Sequence, residues 1–148
     1  MPPVNARDLY DHDFFEWTRS NAALLRAGRL AEADLAHIAE EIEDMGKSQQ
    51  HEIENRMEVL LRHLLKWQFQ SGRRSRSWRL TANNERRRIE RLLRAMPSLC
   101  PRLVTILPEA YAYAVRAAAD ETDLPKSAFP ASCPWSLDQV LDETFLPE

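Results

Sequence analysis

Apolar residues recur at steps of three and four along most of the chain, the spacing that lines one face of an α-helix. The longest such stripe begins at Leu35, passes through Ile53 and Leu60, and reaches Leu64 without a break in phase. No stretch alternates with the period of a strand for long enough to predict a sheet. The pattern therefore predicts an all-α helical bundle of four main helices and a short C-terminal one, at residues 11–27, 34–70, 75–95, 98–120 and 137–143.

The long second helix is the central element of this prediction. Gly46 lies in its middle, and the alternative is two helices that break there. We favour one helix because no proline intervenes and a lone glycine costs only about 1 kcal/mol relative to alanine. At 1.5 Å per residue, the predicted helix is on the order of 55 Å long.

The ends of the first helix are predicted from residues that cap or break helices. Residues 1–7 contain two prolines and are expected to form a loose lead-in. Asp8 or Asp11 is expected to accept hydrogen bonds from the free amides of the first turn. Gly28 fits the left-handed position at which helices commonly end.

Prolines shape the second half of the chain. Ser98 is expected to cap the fourth helix, and Pro108 inside that helix predicts a bend or a split. Residues 121–148 are rich in proline and are predicted to wrap around the bundle as ordered coil. Within them, Ser136 and Gln139 form the capping box of the short helix.

Composition is that of one soluble globular domain over residues 1–148, with 44% hydrophobic and 29% charged residues. No apolar run approaches the roughly 20 residues that a membrane span needs, and the N-terminus lacks the apolar core of a signal peptide. Cys100 and Cys133 form neither a zinc spacing nor a disulfide framework. We therefore expect a reduced, cytoplasmic protein.

The net charge of −3 hides two opposite segments. Residues 71–94 hold nine arginines against two acids, a net of +7, which leaves 11 cations and 21 acids, a net of −10, for the remainder. Residues 30–46 hold six acids and no lysine or arginine. We favour an internal seam, in which Glu52, Glu54 and Glu58 pair with arginines of the third helix, namely Arg86, Arg87, Arg88, Arg91 and Arg94. The alternative is that these arginines form an open nucleic-acid face.

The turn between the second and third helices contains no acid from Val59 to Asn84 and interleaves cations with aromatic rings. We predict a binding corner at residues 62–79, formed by Lys66, Trp67, Arg73, Arg74, Arg76, Trp78 and Arg79. Arginines beside aromatic rings suit an anionic protein partner or another copy of this chain, and they also suit phosphates and stacked bases. The overall negative charge favours the protein partner over RNA or DNA.

Two histidines are candidates for chemistry. His63 lies among leucines and needs a hydrogen-bond partner, so we predict a polar core pair with Glu40 or Glu41, which would serve either packing or general-base chemistry. His37 and Glu41 stand four residues apart on one helical face and form a weak candidate metal site.

Sequence motifs of enzymes are otherwise absent. We find no glycine-rich phosphate loop, no nucleophile elbow and no paired-cysteine spacing. We therefore assign no catalytic residue, metal or cofactor, and favour a non-enzymatic interaction or adaptor protein. Nucleic-acid binding at the same corner is the second hypothesis. A metal-dependent enzyme that uses His37, Glu40, Glu41 and His63 is the third.

Several longer motifs resemble the bacterial domain-of-unknown-function family number 29. They are YDHDFFEW at 10–17, EEIEDMG at 40–46, LLRHLLKWQ at 60–68, RSRSW at 74–78 and SCPWSLDQVLDETFLPE at 132–148. The resemblance covers nearly the whole chain, with Pro108 its one unusual feature. It implies a small all-helical bacterial protein and brings no established reaction. The candidate residues that fall in these motifs are Glu40, Glu41, His63, Lys66, Trp67, Arg76 and Trp78.

Overall fold

The computed structural model describes residues 5–148, and within them every regular element is a helix. The α-helices are α1 (Leu9–His12), α2 (Phe14–Arg26), α3 (Leu35–Phe69), α4 (Arg76–Ala95), α5 (Leu103–Thr122) and α6 (Leu137–Leu141). Short 3-10 helices cover Leu30–Glu32, Ser71–Arg73, Pro97–Arg102 and Lys126–Ala128. The all-α prediction is confirmed.

The long helix is continuous. α3 runs for 35 residues and passes through Gly46 without interruption, close to the predicted bounds of 34 and 70. A Cβ at Gly46 would meet no atom within 4 Å, so packing does not require glycine there. The alternative of two helices broken at this residue is wrong.

The first predicted helix is divided in two. Its predicted end is confirmed, since Gly28 follows α2 with φ of +71°, but its predicted N-terminal cap is wrong. Asp13 has an extended backbone with φ of −152°, which separates α1 from α2. Its carboxylate, and not that of Asp8 or Asp11, accepts the hydrogen bond from the Glu16 amide at 3.1 Å. Of the predicted lead-in, residues 1–4 lie outside the described part of the chain, and residues 6 and 7 belong to a turn.

The fourth helix begins later than predicted. Residues Pro97–Arg102 form a 3-10 helix in which Ser98 makes no capping bond, and α5 starts at Leu103. The prolines at 97 and 101 lack the amide hydrogens that α-helical bonding uses, which the short 3-10 stretch tolerates. Pro108 lies inside α5 and does not split it.

The chain divides into two compact units whose boundary, Ser48 to Gln49, falls inside α3. The first unit contains α1, α2 and the start of α3. The second contains the rest of α3 with α4, α5 and α6. The expectation of one domain over residues 1–148 stays a prediction.

The second unit holds the main hydrophobic core. α3 contributes one fully buried side, with Ile53, Met57, Leu60, Leu61, Leu64 and Leu65. α4 returns antiparallel along it, because Lys66 contacts Trp78 whereas the earlier Arg56 contacts the later Glu85. α5 and the C-terminal segment complete the core through Ile106, Tyr111, Phe129, Trp135 and Val140.

The C-terminal segment is ordered by a few local bonds. Ser136 and Gln139 form the predicted capping box at the start of α6. The helix ends at Leu141, two residues earlier than predicted, and the Asp142 carboxylate accepts hydrogen bonds from the Thr144 amide and hydroxyl at 2.9 and 2.7 Å.

No helix among the described residues is long and apolar enough to span a membrane.

A pair of glycine substitutions tests the continuity of α3. Gly46→Ala should raise the free energy of unfolding by about 0.5–1 kcal/mol, because alanine is the better helix former and has room. Gly28→Ala should lower it by about 1 kcal/mol, because Gly28 has φ of +71°. Urea unfolding followed by far-ultraviolet circular dichroism measures both. Destabilisation by Gly46→Ala would contradict a continuous helix.

Candidate functional site

The basic-aromatic corner, residues Lys66, Trp67, Arg73, Arg74, Arg76, Trp78 and Arg79, lies where α3 gives way to α4. The Ser71–Arg73 3-10 helix makes the turn, and the Ser75 hydroxyl accepts from the Trp78 amide at 3.2 Å to start α4. The structure therefore brings these predicted residues into one local region of the second unit.

Arg74 fixes the first tryptophan of the corner. Its Nε donates to the Trp67 carbonyl oxygen at 2.7 Å, and its guanidinium lies 5.2 Å from the centre of the Trp67 ring. A guanidinium in this position is attracted by the negative face of the indole. The two contacts together tie the turn back onto the end of α3.

Lys66 fixes the second tryptophan. Its ammonium lies 4.6 Å from the centre of the Trp78 ring, so it links α3 to the first turn of α4. The same ammonium lies 3.0 Å from a carboxylate oxygen of Glu121 on α5. Lys66 is therefore a structural cation that connects three helices of the second unit.

Glu121 supplies the acid that the local sequence lacks. Its other carboxylate oxygen accepts from Arg62 at 3.2 Å, so one carboxylate serves two cations of α3. Burial would raise the pKa of the Glu121 carboxyl, but the Lys66 hydrogen bond and the charges of Arg62 and Lys66 outweigh it and hold that pKa below its ordinary value. Sequence reasoning missed Glu121 because nothing local connects residue 121 to residues 62 and 66.

The remaining cations of the corner are open to solvent. Arg73, Arg76 and Arg79 are exposed, and within the described chain none lies within 4 Å of a carboxylate oxygen. The corner thus combines a set of internal contacts, made by Lys66 and Arg74 with the two tryptophans, and three exposed guanidinium groups without an ion pair in the described chain.

His63 does not form the predicted pair with Glu40 or Glu41. Its Nδ1 lies 2.8 Å from the Val59 carbonyl oxygen, one helical turn back. All three residues lie on the continuous α3, and His63 follows Glu41 by 22 residue steps, which correspond to about 33 Å along the axis. Burial, and then the charges of Lys66 and Arg62, lower the pKa of His63. The neutral imidazole therefore donates to Val59.

The first unit contains a polar cluster centred on Asp34, which is 3% exposed. Its carboxylate accepts from the Trp17 indole nitrogen at 3.0 Å and from His37 Nδ1 at 2.7 Å, and its amide donates to the Asn21 side-chain oxygen at 2.8 Å. Burial raises the pKa of the Asp34 carboxyl, but the bonds from Trp17 and His37 leave the net pKa lowered. The charged Asp34 thus anchors the start of α3 to α2.

Tyr10 contacts both His37 and Glu41, the weak candidate metal ligands. The Tyr10 ring stacks on the His37 ring with centres 3.8 Å apart, and its hydroxyl donates to Glu41 at 2.6 Å. The hydrogen bond to Glu41 is the main cause that raises the pKa of Tyr10 to about 12. No cluster of three or more ligand-type side chains with metal-binding geometry occurs among the described residues.

The proposed arginine–glutamate seam between α4 and α3 is not formed as predicted. The ion pair that joins these helices has its arginine on α3 and its glutamate on α4, the reverse of the prediction: Arg56 lies 3.6 Å from Glu85. Arg87 instead pairs with Glu143 at 2.5 Å. Arg86 is buried and donates to the Val140 carbonyl oxygen at 2.7 Å, which attaches α6 to α4.

These observations define a small all-helical protein with an ordered, cation-rich turn between its two central helices. The chain belongs to the family described as domain of unknown function DUF29, which matches residues 9–146. The resemblance noted from the sequence motifs is thereby confirmed. No curated protein and no solved structure matches the chain.

The pKa values of His37 and His63, both on α3, should be shifted in opposite directions. The hydrogen bond with Asp34 holds the pKa of His37 above 6.5, whereas burial holds that of His63 below 6.5. The stabilisation from the Asp34–His37 pair is complete below pH 6.5 and is lost as the pH rises through the raised pKa of His37. Nuclear magnetic resonance titration of the imidazole signals measures both values. Asp34→Asn should return the pKa of His37 towards 6.5 and leave His63 unchanged, and an unmoved His37 would contradict the pairing.

Removal of the shared acid should destabilise the second unit. Glu121→Gln leaves Arg62 and Lys66 close together without their shared carboxylate. Because the Glu121 side chain is 40% exposed and screened by solvent, this should cost up to about 1 kcal/mol of unfolding free energy at pH 7. Since the pKa of Glu121 is lowered in the folded chain, this contribution should vanish as the pH falls below about 4. Glu143→Gln, at a pair in which both side chains are exposed, is the control and should change little. Equal effects of the two substitutions in urea unfolding would argue against the special role of Glu121.

Proposed function

We propose that this protein is a non-enzymatic interaction or adaptor protein whose basic-aromatic corner binds an acidic segment of a protein partner or of another copy of the chain. The observation that carries this proposal is the exposure of Arg73, Arg76 and Arg79 without an ion pair in the described chain, beside two fixed tryptophans. Arginine and tryptophan are the residues most enriched among those that dominate binding energy at protein interfaces.

Preorganisation supports the proposal. The contacts of Lys66 with Glu121 and Trp78 and the bond from Arg74 to Trp67 already hold the turn, so binding a partner would not have to order it. Ordering a mobile side chain at an interface costs about 0.5–1.5 kcal/mol, and a turn that is already fixed avoids much of that cost. The exposed guanidinium groups suit carboxylates because they offer paired donors in a planar fork.

The covered tryptophan rings favour a protein partner over a nucleic acid. The Arg74 guanidinium lies over the Trp67 ring and the Lys66 ammonium over the Trp78 ring, so one face of each ring is occupied from within the chain. Stacking on open aromatic faces is a main source of affinity for single-stranded nucleic acid. Nucleic-acid binding is therefore the less favoured function of the corner, and the experiment below distinguishes it from protein binding.

The metal-dependent enzyme hypothesis receives no support from the geometry. His63 donates to the Val59 carbonyl, far along α3 from Glu40 and Glu41. Asp34 and Tyr10 already engage His37 and Glu41. The four side chains that the hypothesis needs therefore do not converge.

Charge reversal at the corner tests the proposal. Arg76→Glu with Arg79→Glu should abolish the capture of a protein partner from native cell extract, because two guanidinium groups at the contact become carboxylates. The control is Arg91→Glu with Arg116→Glu, which makes the same charge change at two other exposed arginines that form no ion pair in the described chain. Mass spectrometry identifies the captured proteins, and circular dichroism confirms that both variants are folded.

Capture of the same partner by the Arg76→Glu, Arg79→Glu variant would contradict the proposal. A partner lost equally from both variants would mean that general charge, and not the corner, holds it. Labelled RNA and single-stranded DNA are tested in parallel at low salt. Binding that falls steeply with salt and is lost with Arg76→Glu and Arg79→Glu would replace the protein partner by a nucleic acid.

A further inference from the structure

A cavity of about 590 Å³, termed here the α4–α6 cavity, lies in the second unit between α4 and the chain around α6. Its apolar lining comes from Ile89 and Leu93 of α4 and from Leu141 at the end of α6. Cys100 and Thr144 also line it. Sites that bind small organic molecules commonly have a volume of about 300–1,000 Å³ and combine apolar walls with a few polar groups that orient the ligand.

Arg86 gives this cavity a buried positive charge. Its side chain lines the cavity, yet the residue is only 3% exposed. Nε donates to the Val140 carbonyl oxygen at 2.7 Å, and Nη1 donates to the Asn83 side-chain oxygen at 3.0 Å. Nη2 is buried and has no hydrogen-bond acceptor in the described chain. Folded proteins rarely leave such a donor without a partner, so the guanidinium has capacity for one more acceptor.

No carboxylate of the described chain neutralises Arg86, since none has an oxygen within 4 Å of its nitrogens. Glu143 on the cavity wall pairs instead with Arg87, and Asp142 accepts from Thr144. Burial lowers the pKa of Arg86 by more than the charges of Asp142 and Glu143 raise it. Because arginine keeps its proton in proteins, Arg86 is a buried charge without a counter-ion, and buried charges are normally paired.

We propose that the α4–α6 cavity binds a small amphipathic molecule that carries one carboxylate. The carboxylate supplies the counter-ion and the acceptor that Arg86 lacks, and the apolar body of the molecule packs on Ile89, Leu93 and Leu141. A single negative charge suits the site better than a phosphate dianion, because the acids on the cavity wall repel additional negative charge. The site uses no residue of the basic-aromatic corner and is independent of the proposed function.

Matched probes test the role of charge. Naphthaleneacetate and naphthaleneacetamide share one ring system and differ in the carboxylate, and octanoate is a second carboxylate of different shape. Nuclear magnetic resonance titration of the full chain should show that both carboxylates bind, with the largest shifts at the amides of Ile89, Leu93, Leu141 and Thr144. Naphthaleneacetate should bind at least about tenfold more tightly than the amide, because only the carboxylate pairs with the guanidinium.

Removal of the buried cation should remove this preference. Arg86→Met keeps an apolar side chain of similar length without the charge, so naphthaleneacetate and naphthaleneacetamide should bind it equally. Arg91→Met is the control, because Arg91 is an exposed arginine of α4 that does not line the cavity. This variant should keep the preference of the native chain.

A second pair of variants leaves Arg86 in place, so the test does not depend on the folding of Arg86→Met. Leu93→Trp fills the cavity and should weaken naphthaleneacetate binding by at least about tenfold. Leu92→Trp makes the same change at the preceding residue of α4, which is half-buried like Leu93 but lies outside the cavity lining, and should leave binding unchanged. Circular dichroism confirms that each variant is folded.

Three outcomes would overturn the inference. The first is that neither naphthaleneacetate nor octanoate binds at millimolar concentration. The second is equal binding of naphthaleneacetate and its amide by the native chain, or an unchanged preference in Arg86→Met, since Arg86 would then not hold the anion. The third is loss of naphthaleneacetate binding in the Arg76→Glu, Arg79→Glu variant, which would place the anion at the basic-aromatic corner; we expect that variant to bind it unchanged.

Discussion

The structure depends on one amphipathic helix that stays continuous for 35 residues. Because α3 does not break at Gly46, its apolar side keeps a single phase from Leu35 to Leu64. Burial of that side in the second unit supplies most of the core contacts of α3, and each buried leucine or isoleucine contributes about 1.5–3 kcal/mol. The Asp34 cluster lies at the start of this helix, and the basic-aromatic corner lies at its end.

Opposite charges are separated along the chain, and the fold neutralises only some of them. Glu121 reaches Arg62 and Lys66 across helices, and Glu85 meets Arg56. Lys66 and Glu85 are only 13% and 8% exposed, and an unpaired charge there would be costly, so these pairs serve the fold. The exposed arginines of the corner are left without such acids in the described chain. A protein with this distribution is suited to partners selected by charge, since surface charge governs steering and specificity more than folding stability.

Helical periodicity predicted the elements well and their ends poorly. The stripe through Ile53 and Leu60 was sufficient for the long helix because burial of one side depends on spacing alone. The cap at Asp13 and the 3-10 stretch before Leu103 depend on local backbone choices among several acceptable residues, which spacing does not distinguish. In the corner, Arg74 and Trp67 were predictable because they are neighbours in sequence. Glu121 was not, because its contact with Lys66 exists only once α5 has packed.

His37 and His63 show that a shared helix does not assign a shared role. Both lie on α3, yet Asp34 favours the charged form of one and burial favours the neutral form of the other. The difference comes from a buried carboxylate three residues before His37 that the Trp17 indole also holds in place. For His63, burial and the charges of Lys66 and Arg62 lower the pKa by more than the bond to the Val59 carbonyl and the charge of Glu121 raise it. Position on a helix therefore fixes neither the protonation state of a histidine nor its hydrogen-bond partner, because both depend on what packs around the ring.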